Sequence, residues 1–278
     1  MSRKNPRLAF ALAAVALLVG SAAASSALAA RGAARTARAL NRGATSALNY
    51  DLQTADGPLS AAKYRQLKSL LLYLQPDIAV LHNLRASAQT PRGAQQHAAS
   101  LARSLSMYYA FEPAAAGADF GSALLSRFPI TSADRLTAEG PGGGFVGLRA
   151  EVRAGNRTYD ILVVRPGSGA AAQLAVDAVS RAVQADPHAR RLVFASFDPD
   201  AGADAAFSAW REAGLLDPAA ALSLTPAPTY PRARPAQRLD YILVSGSLQT
   251  AVRGTRVVRG TRLRELGDHL PVEVSFAY

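Results

Sequence analysis

Two stretches decide the reading: Arg238-Leu239-Asp240-Tyr241-Ile242-Leu243-Val244-Ser245 and, nearer the C-terminus, Gly267-Asp268-His269-Leu270-Pro271-Val272. The first holds an apolar run of strand length, residues 239–244, interrupted by one carboxylate. The second leads into another such run at 271–276, and residues 251–258 between them predict a third strand. Working outward toward the N-terminus, residues 203–213 predict a helix carrying the only tryptophan, Trp210. Before it come a strand at 192–197, a helix at 171–185, and short strands at 159–164, 146–152, 122–126 and 107–111. Residues 93–106 predict a helix with Ala98, Leu101, Ala102 and Leu105 inward. Residues 77–81 are a buried-strand run, and 60–75 predict a helix with Tyr64, Leu67, Leu70, Leu71 and Leu74 on one face, ended by Pro76. Residues 46–50 fit a short first strand. No internal repeat is visible, and strands mixed with surface helices predict two packed sheets flanked by helices.

Composition narrows the class. The chain has 278 residues, about half of them apolar, enough for one large core. It has no cysteine, which excludes disulfides, thiolate metal sites and a cysteine nucleophile. Arg3, Lys4 and Arg7 precede an uncharged apolar run at 8–20, and Ala27-Leu28-Ala29 has the small-x-small form of a cleavage site. Residues 1–29 are therefore expected to be a signal peptide or, since 8–30 carry no charge, an N-terminal membrane anchor. Either places the body outside the cytoplasm, secreted or periplasmic. Residues 30–44 read as an Ala/Arg-rich linker, and 45–278 as one domain.

The formal charge is +11, or +8 without the three leader charges, and nearly all of it is arginine. Lys4, Lys63 and Lys68 are the only lysines, and arginines 232, 234, 238, 253, 256, 259, 262 and 264 crowd the C-terminal part. Partners that suit such a charge are phosphate-bearing ligands, nucleic acid or an anionic membrane surface. An Ala/Arg-rich compositional habit accounts for it equally simply, because no aromatic interleaving supports base stacking.

A series of short motifs lies in fixed order: Asn49; Pro76-Asp77-Ile78-Ala79-Val80-Leu81-His82-Asn83; Gly121-Ser122-Ala123-Leu124-Leu125-Ser126-Arg127-Phe128-Pro129-Ile130; Val164-Arg165-Pro166; Ala195-Ser196-Phe197-Asp198; Thr229-Tyr230-Pro231; and the two opening stretches. This series resembles the metal-dependent endonuclease/exonuclease/phosphatase family across residues 45–278. There the corresponding patterns read P-D-I/V-x-x-L-Q-E, G-N-A-L-L-S-R-F-P-I, T-H-L, G-D-F-N, R-I-D-Y-I-L-V-S and S-D-H-L-P-V. The resemblance implies a four-layer α/β sandwich of the DNase I-like kind, two packed mixed sheets with helices outside. It also implies phosphoester hydrolysis with Mg²⁺ or Mn²⁺ held by carboxylates. An aspartate activates water, amides and a histidine meet the phosphate oxygens, and a buried aspartate orients that histidine.

Carried over residue by residue, Asp240 matches the orienting aspartate, His269 the phosphate-facing histidine and Asp268 the aspartate near the metal, and Asn49 is kept. Arg127 is read as a structural partner of the sheet before a phosphate ligand, and stays in the candidate substrate-binding set with Arg165. The rest departs from the pattern. Asn83 stands for the metal-binding glutamate and is at best a weak metal ligand, because its amide carries no charge. Ser196 stands for the water-activating aspartate, and Asp198 for the phosphate-binding asparagine. A carboxylate at 198 would repel a phosphate by about 4 kcal/mol at about 4 Å and an effective dielectric of about 20. Arg165 stands at or next to the T-H-L histidine and cannot donate a proton at ordinary pH. Asp198, with Asp200 nearby, is the candidate for a rearranged base or metal ligand. His82, His97 and His188 read as core or surface residues, and Gly142-Gly143-Gly144 as a flexible loop. The expectation is an exported, monomeric family member with impaired or lost phosphoester hydrolysis that binds phosphate groups or anionic surfaces. An active Mg²⁺- or Mn²⁺-dependent phosphodiesterase with a rearranged site and an envelope scaffold protein are the alternatives.

Overall fold

The computed structural model describes residues 43–53, 59–85, 93–140, 143–199, 201–263 and 266–277. The expected leader and all but the last residues of the linker, together with Asp200, fall outside these. Strands β1 (Ala44–Asp51), β2 (Ile78–Arg85), β3 (Tyr108–Pro113) and β4 (Phe120–Ser126) join β11 (Val252–Val257) and β12 (Val272–Ala277) in one sheet, ordered β11-β12-β1-β2-β4-β3. Strands β5 (Ile130–Gly140), β6 (Gly143–Ala154), β7 (Arg157–Val164), β8 (Arg191–Ser196), β9 (Leu215–Leu216) and β10 (Asp240–Ser245) form the second, ordered β5-β6-β7-β8-β10-β9. Each sheet has one parallel pair, β1 with β2 and β7 with β8, and every other pairing is antiparallel.

The parallel pairs dictate the layers, because each requires a helical crossover. Helix α1 (Ala61–Leu74) links β1 to β2, and α2 (Ala94–Leu105) follows β2. Helix α3 (Ala170–Ala185) links β7 to β8, and α4 (Ala203–Glu212) comes next. Short helices α5 (Pro218–Ala221) and α6 (Gly246–Gln249) complete the set among the described residues. Ser60 caps α1, its Oγ accepting from the Lys63 N–H at 3.2 Å, and Gln75 ends the helix in a left-handed conformation just before Pro76.

Strand alternation then sorts side chains into three cores. Ile78, Val80, Ile161, Phe194, Ile242 and Val274 pack between the sheets. Leu48, Tyr50, Ala79 and Leu81 face Leu67, Leu70 and Leu71 of α1 and Leu101 of α2. Leu162, Val193 and Leu243 face Ala175 and Val179 of α3 and Trp210 of α4. A fully buried leucine or valine contributes roughly 1.5–3 kcal/mol, so these three spaces hold four layers together as the family resemblance implied. Among the described residues no helix is long and apolar enough to cross a membrane.

Two expectations need correction. Strand β5 was missed, and Gly143 and Gly144 are not a flexible loop but open β6, paired with Gly140 and Glu139 of β5.

Candidate functional site

The C-terminal ends of the two parallel pairs point to the same edge of the sandwich. There β1 delivers Asn49 and Asp51, β2 Asn83, β7 Arg165 just past its end, and β8 Ser196 with Asp198 just beyond. Strand β10 runs antiparallel to β8 and contributes its first residue, Asp240, directly across from Ser196. His269 enters from the segment before β12.

Asn49 is fully buried, and its Nδ2 donates to the carbonyls of Ala195 at 2.7 Å and Tyr241 at 3.1 Å. It thereby ties the first sheet to two strands of the second. His269 Nδ1 lies 2.9 Å from Asp240 Oδ2, both side chains being at most 1% exposed, so the expected Asp240–His269 pair is present. Burial pushes the imidazole pKa down, but the charge and hydrogen bond of Asp240 outweigh it, and the ring is raised to about 9. His269 is therefore protonated at neutral pH. Its Nε2 has no hydrogen-bond partner among the described residues.

The sequence reading missed the residue at the centre of the network, Asp51. It is fully buried and accepts four hydrogen bonds. Oδ1 receives Asn83 Nδ2 at 2.8 Å and the Gln53 N–H at 2.7 Å. Oδ2 receives Ser196 Oγ at 2.8 Å and Arg165 Nε at 3.2 Å. Burial alone would raise its pKa, but Arg165 and the neighbouring histidines, with the Asn83 bond, hold it well below the usual carboxylate range. A signal for it existed, since Asn49 and Asp51 are two apart on one strand and share a face.

Arg165 fills the space between Asp51 and Asp198. Its Nη2 lies 2.6 Å from Asp198 Oδ1 and 2.6 Å from Gln53 Oε1, and Nη1 reaches Asp198 Oδ2 at 3.4 Å. Ser196 Oγ is 2.8 Å from Asp240 Oδ1 as well as from Asp51, so its single proton serves one carboxylate at a time. His82 is buried behind this cluster with Nδ1 3.1 Å from Ser122 Oγ, and burial lowers its pKa to about 4 against the pull of Asp51. A cleft of ≈ 230 Å³ opens beside Asn83 and Arg165, lined by Phe120, Ser122, Phe145 and Gly147 among others.

These donors do not fit a divalent cation. Mg²⁺ and Mn²⁺ want several oxygen ligands with free lone pairs. Asp51 accepts from Asn83, the Gln53 N–H and Arg165, and shares the Ser196 proton with Asp240, so protein groups crowd all of its lone-pair positions. Asn83 turns its amide N–H, not a carbonyl, toward that carboxylate, and a guanidinium sits between the two acids. Among the described residues no group of three His, Asp or Glu side chains is arranged for a metal. Asp268, the other candidate ligand, is fixed by its main chain, its N–H donating to Gln53 O at 2.8 Å and its carbonyl accepting from the Arg232 N–H at 2.6 Å.

Arg127 is not part of this site. It follows β4, which runs antiparallel to β2, and so lies at the opposite edge of the sheet. Its guanidinium donates to Gln75 O at 3.0 Å and stands 3.5 Å from Asp77 Oδ1. Asp77 in turn accepts from the Ser46 N–H at 2.9 Å, so Arg127 closes the start of β2 against the start of β1. Its candidacy as a substrate ligand is withdrawn in favour of the structural role.

Solved structures share this architecture at low sequence identity. A family protein from Leptotrichia buccalis C-1013-b superposes with a TM-score of 0.65 at 14% identity, covering 84% of this chain and 100% of that one. A 3' phosphatase from Neisseria, determined bound to a product DNA hairpin, gives 0.61 at 16%, covering 84% and 100%. An AP endonuclease from Archaeoglobus fulgidus gives 0.61 at 14%, covering 84% and 99%. No curated protein matches significantly by sequence. The model of the Endonuclease/Exonuclease/phosphatase family matches residues 48–269, from β1 to His269 and so well over half of the chain. The chain belongs to that family, whose members generally depend on a divalent metal.

Proposed function

We propose that this protein is a family member in which metal-dependent phosphoester hydrolysis is impaired or lost, and in which Arg165 supplies the positive charge that a cation would otherwise bring. The observation that carries the reading is the Arg165 guanidinium lying between Asp51 and Asp198, with Asn83 and Ser196 both donating to Asp51. At the four altered positions the family pattern has Glu, Asp, Asn and His, a net double negative charge that a divalent cation neutralises. Here Asn83, Ser196, Asp198 and Arg165 sum to zero on their own. Each change makes sense beside the others: the Asp198 carboxylate answers the Arg165 guanidinium, and the Ser196 hydroxyl offers a proton where a third carboxylate would repel Asp51 and Asp240.

The chemistry left is recognition. The partly exposed Arg165 guanidinium is the cationic group at the cleft suited to a phosphate, and the buried, protonated His269 adds to the positive field there. The basic leader residues and the apolar run at 8–20 support export of the body from the cytoplasm, which intact-mass measurement of the mature chain tests by cleavage before Ala30.

The decisive experiment measures hydrolysis of a model phosphodiester and of plasmid DNA in millimolar Mg²⁺ or Mn²⁺. Wild-type rates at the blank are expected. The triple change Asn83→Glu, Ser196→Asp, Asp198→Asn should gain little, because Arg165 still occupies Asp51. Adding Arg165→His should bring Mn²⁺ binding, seen by calorimetry, and a gain of at least about 10² in hydrolysis, the low end for regaining a general base. Chelator-sensitive wild-type turnover abolished by Asp198→Ala would overturn the reading in favour of a rearranged metal site.

A further inference from the structure

Among the described residues the helical layer on the first sheet is charged with one sign. Helix α1 carries Lys63, Arg65 and Lys68, α2 carries Arg103, and the turn after β11 carries Arg259 and Arg262. Residues 59–75, 93–111 and 251–263 contain no acid at all. The opposite layer is mixed, with Asp177 and Arg181 on α3 and Asp204, Arg211 and Glu212 on α4. Helix α1 and the turn after β11 meet on this layer. The Arg262 guanidinium stacks over the Tyr73 ring at 4.6 Å, and Gln66 Nε2 donates to the Arg262 carbonyl at 3.1 Å.

Charge alone would describe a solvated face. The second observation is apolar: Leu72 and Tyr73, adjacent in the last turn of α1, are 41% and 65% exposed. They share the outward face of the helix with Arg65 and Ser69. The third is position. Helix α1 ends at Gln75, and the Asp77 N–H donates to Ser46 O at 3.0 Å, so Leu72 and Tyr73 lie at the pole where β1 begins. The chain preceding β1 carries arginines 31, 35, 38 and 42 without an acid, after an uncharged apolar stretch at 8–30. Asp51, at the other end of β1, lies roughly 23 Å away.

From these three observations we infer that the α1 face docks on a lipid bilayer surface bearing anionic headgroups. Leu72 and Tyr73 would enter the interfacial region, where an aromatic ring with a polar tip is at home. Arg65, Lys68, Arg259 and Arg262 would meet the headgroup phosphates. An aliphatic side chain beside one cation-covered tyrosine suits a lipid interface better than a nucleic acid, which needs a platform of open aromatic faces. Docking in this pose turns the cleft at the Asp51 end away from the bilayer. The inference is independent of whether the cleft is catalytic.

The absence of cysteine makes the test clean, because a single introduced thiol carries an environment-sensitive dye to one place. Full-length Ser69→Cys reports on the α1 face and Gln184→Cys on the opposite layer, both positions being exposed. With phosphatidylglycerol-containing vesicles the Ser69→Cys dye should shift to the blue while the Gln184→Cys dye does not. Pure phosphatidylcholine should leave both where they were. The triple change Arg65→Glu, Lys68→Glu, Arg262→Glu should lower partitioning at least about tenfold, since each basic residue near an anionic surface strengthens binding about fivefold. Leu72→Ser with Tyr73→Ser should lower it at unchanged charge, and circular dichroism melts verify that both variants fold. Equal shifts of the two dyes, no shift of either, or a shift produced by an oligonucleotide and not by vesicles would each overturn the inference.

Discussion

The cleft has two halves that answer to different forces. Asn49, Asp240 and His269 fit the family pattern, and each also holds the molecule together. Asn49 joins the sheets through two carbonyls, and Asp240 and His269 form a fully buried pair. The Asp240 segment is further pinned by Thr229 Oγ1, which accepts from the Leu239 N–H at 3.1 Å. Asn83, Arg165, Ser196 and Asp198 depart from the pattern, and their bonds centre on Asp51, with Arg165 also holding Asp198 and Gln53, and Ser196 also reaching Asp240. The side chains of Arg165 and Asp198 are 20% and 32% exposed. A half that also bears structure keeps its residues whether or not the chemistry survives. Matching motifs in such a half therefore say more about fold than about turnover.

The sharpest way to break this comparison is Ser196→Asp alone. It places a third carboxylate where the hydroxyl now meets Asp51 and Asp240 at 2.8 Å. Like charges at about 4 Å and an effective dielectric of about 20 repel by about 4 kcal/mol per pair. A loss of several kcal/mol in urea unfolding at neutral pH is expected, shrinking at acid pH. A variant as stable as wild type would mean that the altered half is not charge-balanced without a metal.

Next in size is Asn49→Ala, which strips the donor from two buried carbonyls and should cost about 2–4 kcal/mol. If it proves as mild as a surface substitution, the claim that the matching half bears structure is lost.

The pH dependence reads the matching half without mutation. The His269 pKa of about 9 lies above its unfolded value of about 6.5. Its contribution is complete below pH 6.5 and is lost as pH rises through 9. His82 works in the opposite sense, being held neutral to about pH 4, so stability also falls as pH drops from about 6.5 toward 4. Stability measured by denaturant should peak near pH 6.5, and His269→Gln should flatten the alkaline limb. An alkaline limb unchanged in that variant would remove the pair from the account.

The smallest effect is expected for Asp198→Asn. Its bond to Arg165 is partly exposed, so the cost should be about 1 kcal/mol or less. A larger loss would put part of the structural burden in the altered half.

How much of this was legible depended on which physical signal each segment carries. The helices at α1 to α4 and most strands showed in the spacing of apolar residues, because each buries one face. Strand β5 did not. It is an edge strand, and Ser132, Asp134, Arg135 and Thr137 leave it without a regular apolar face. Asp51 was overlooked because the first strand was ended at Tyr50, one residue short. Arg127, read first as a structural partner of the sheet, stayed beside Arg165 in the substrate-binding set because its motif alone does not show that the antiparallel course of β4 takes it to the far edge. The altered positions were legible as substitutions, but their mutual compensation was not. It rests on contacts between distant parts of the sequence, from 32 residues apart for Asn83 with Asp51 to 145 for Ser196 with Asp51.

The backbone at Asn83 acts in the same sense as its lack of charge. Its φ is +54°, and the pairing of β2 with β4 slips between Leu81 and Leu84, so a bulge places the side chain in the left-handed region. Asparagine visits that region readily, whereas most side chains meet a penalty of roughly 1–2 kcal/mol there. Glutamate at 83 would therefore meet a main-chain penalty as well as the repulsion of Asp51, so at this position backbone conformation and charge favour the same residue.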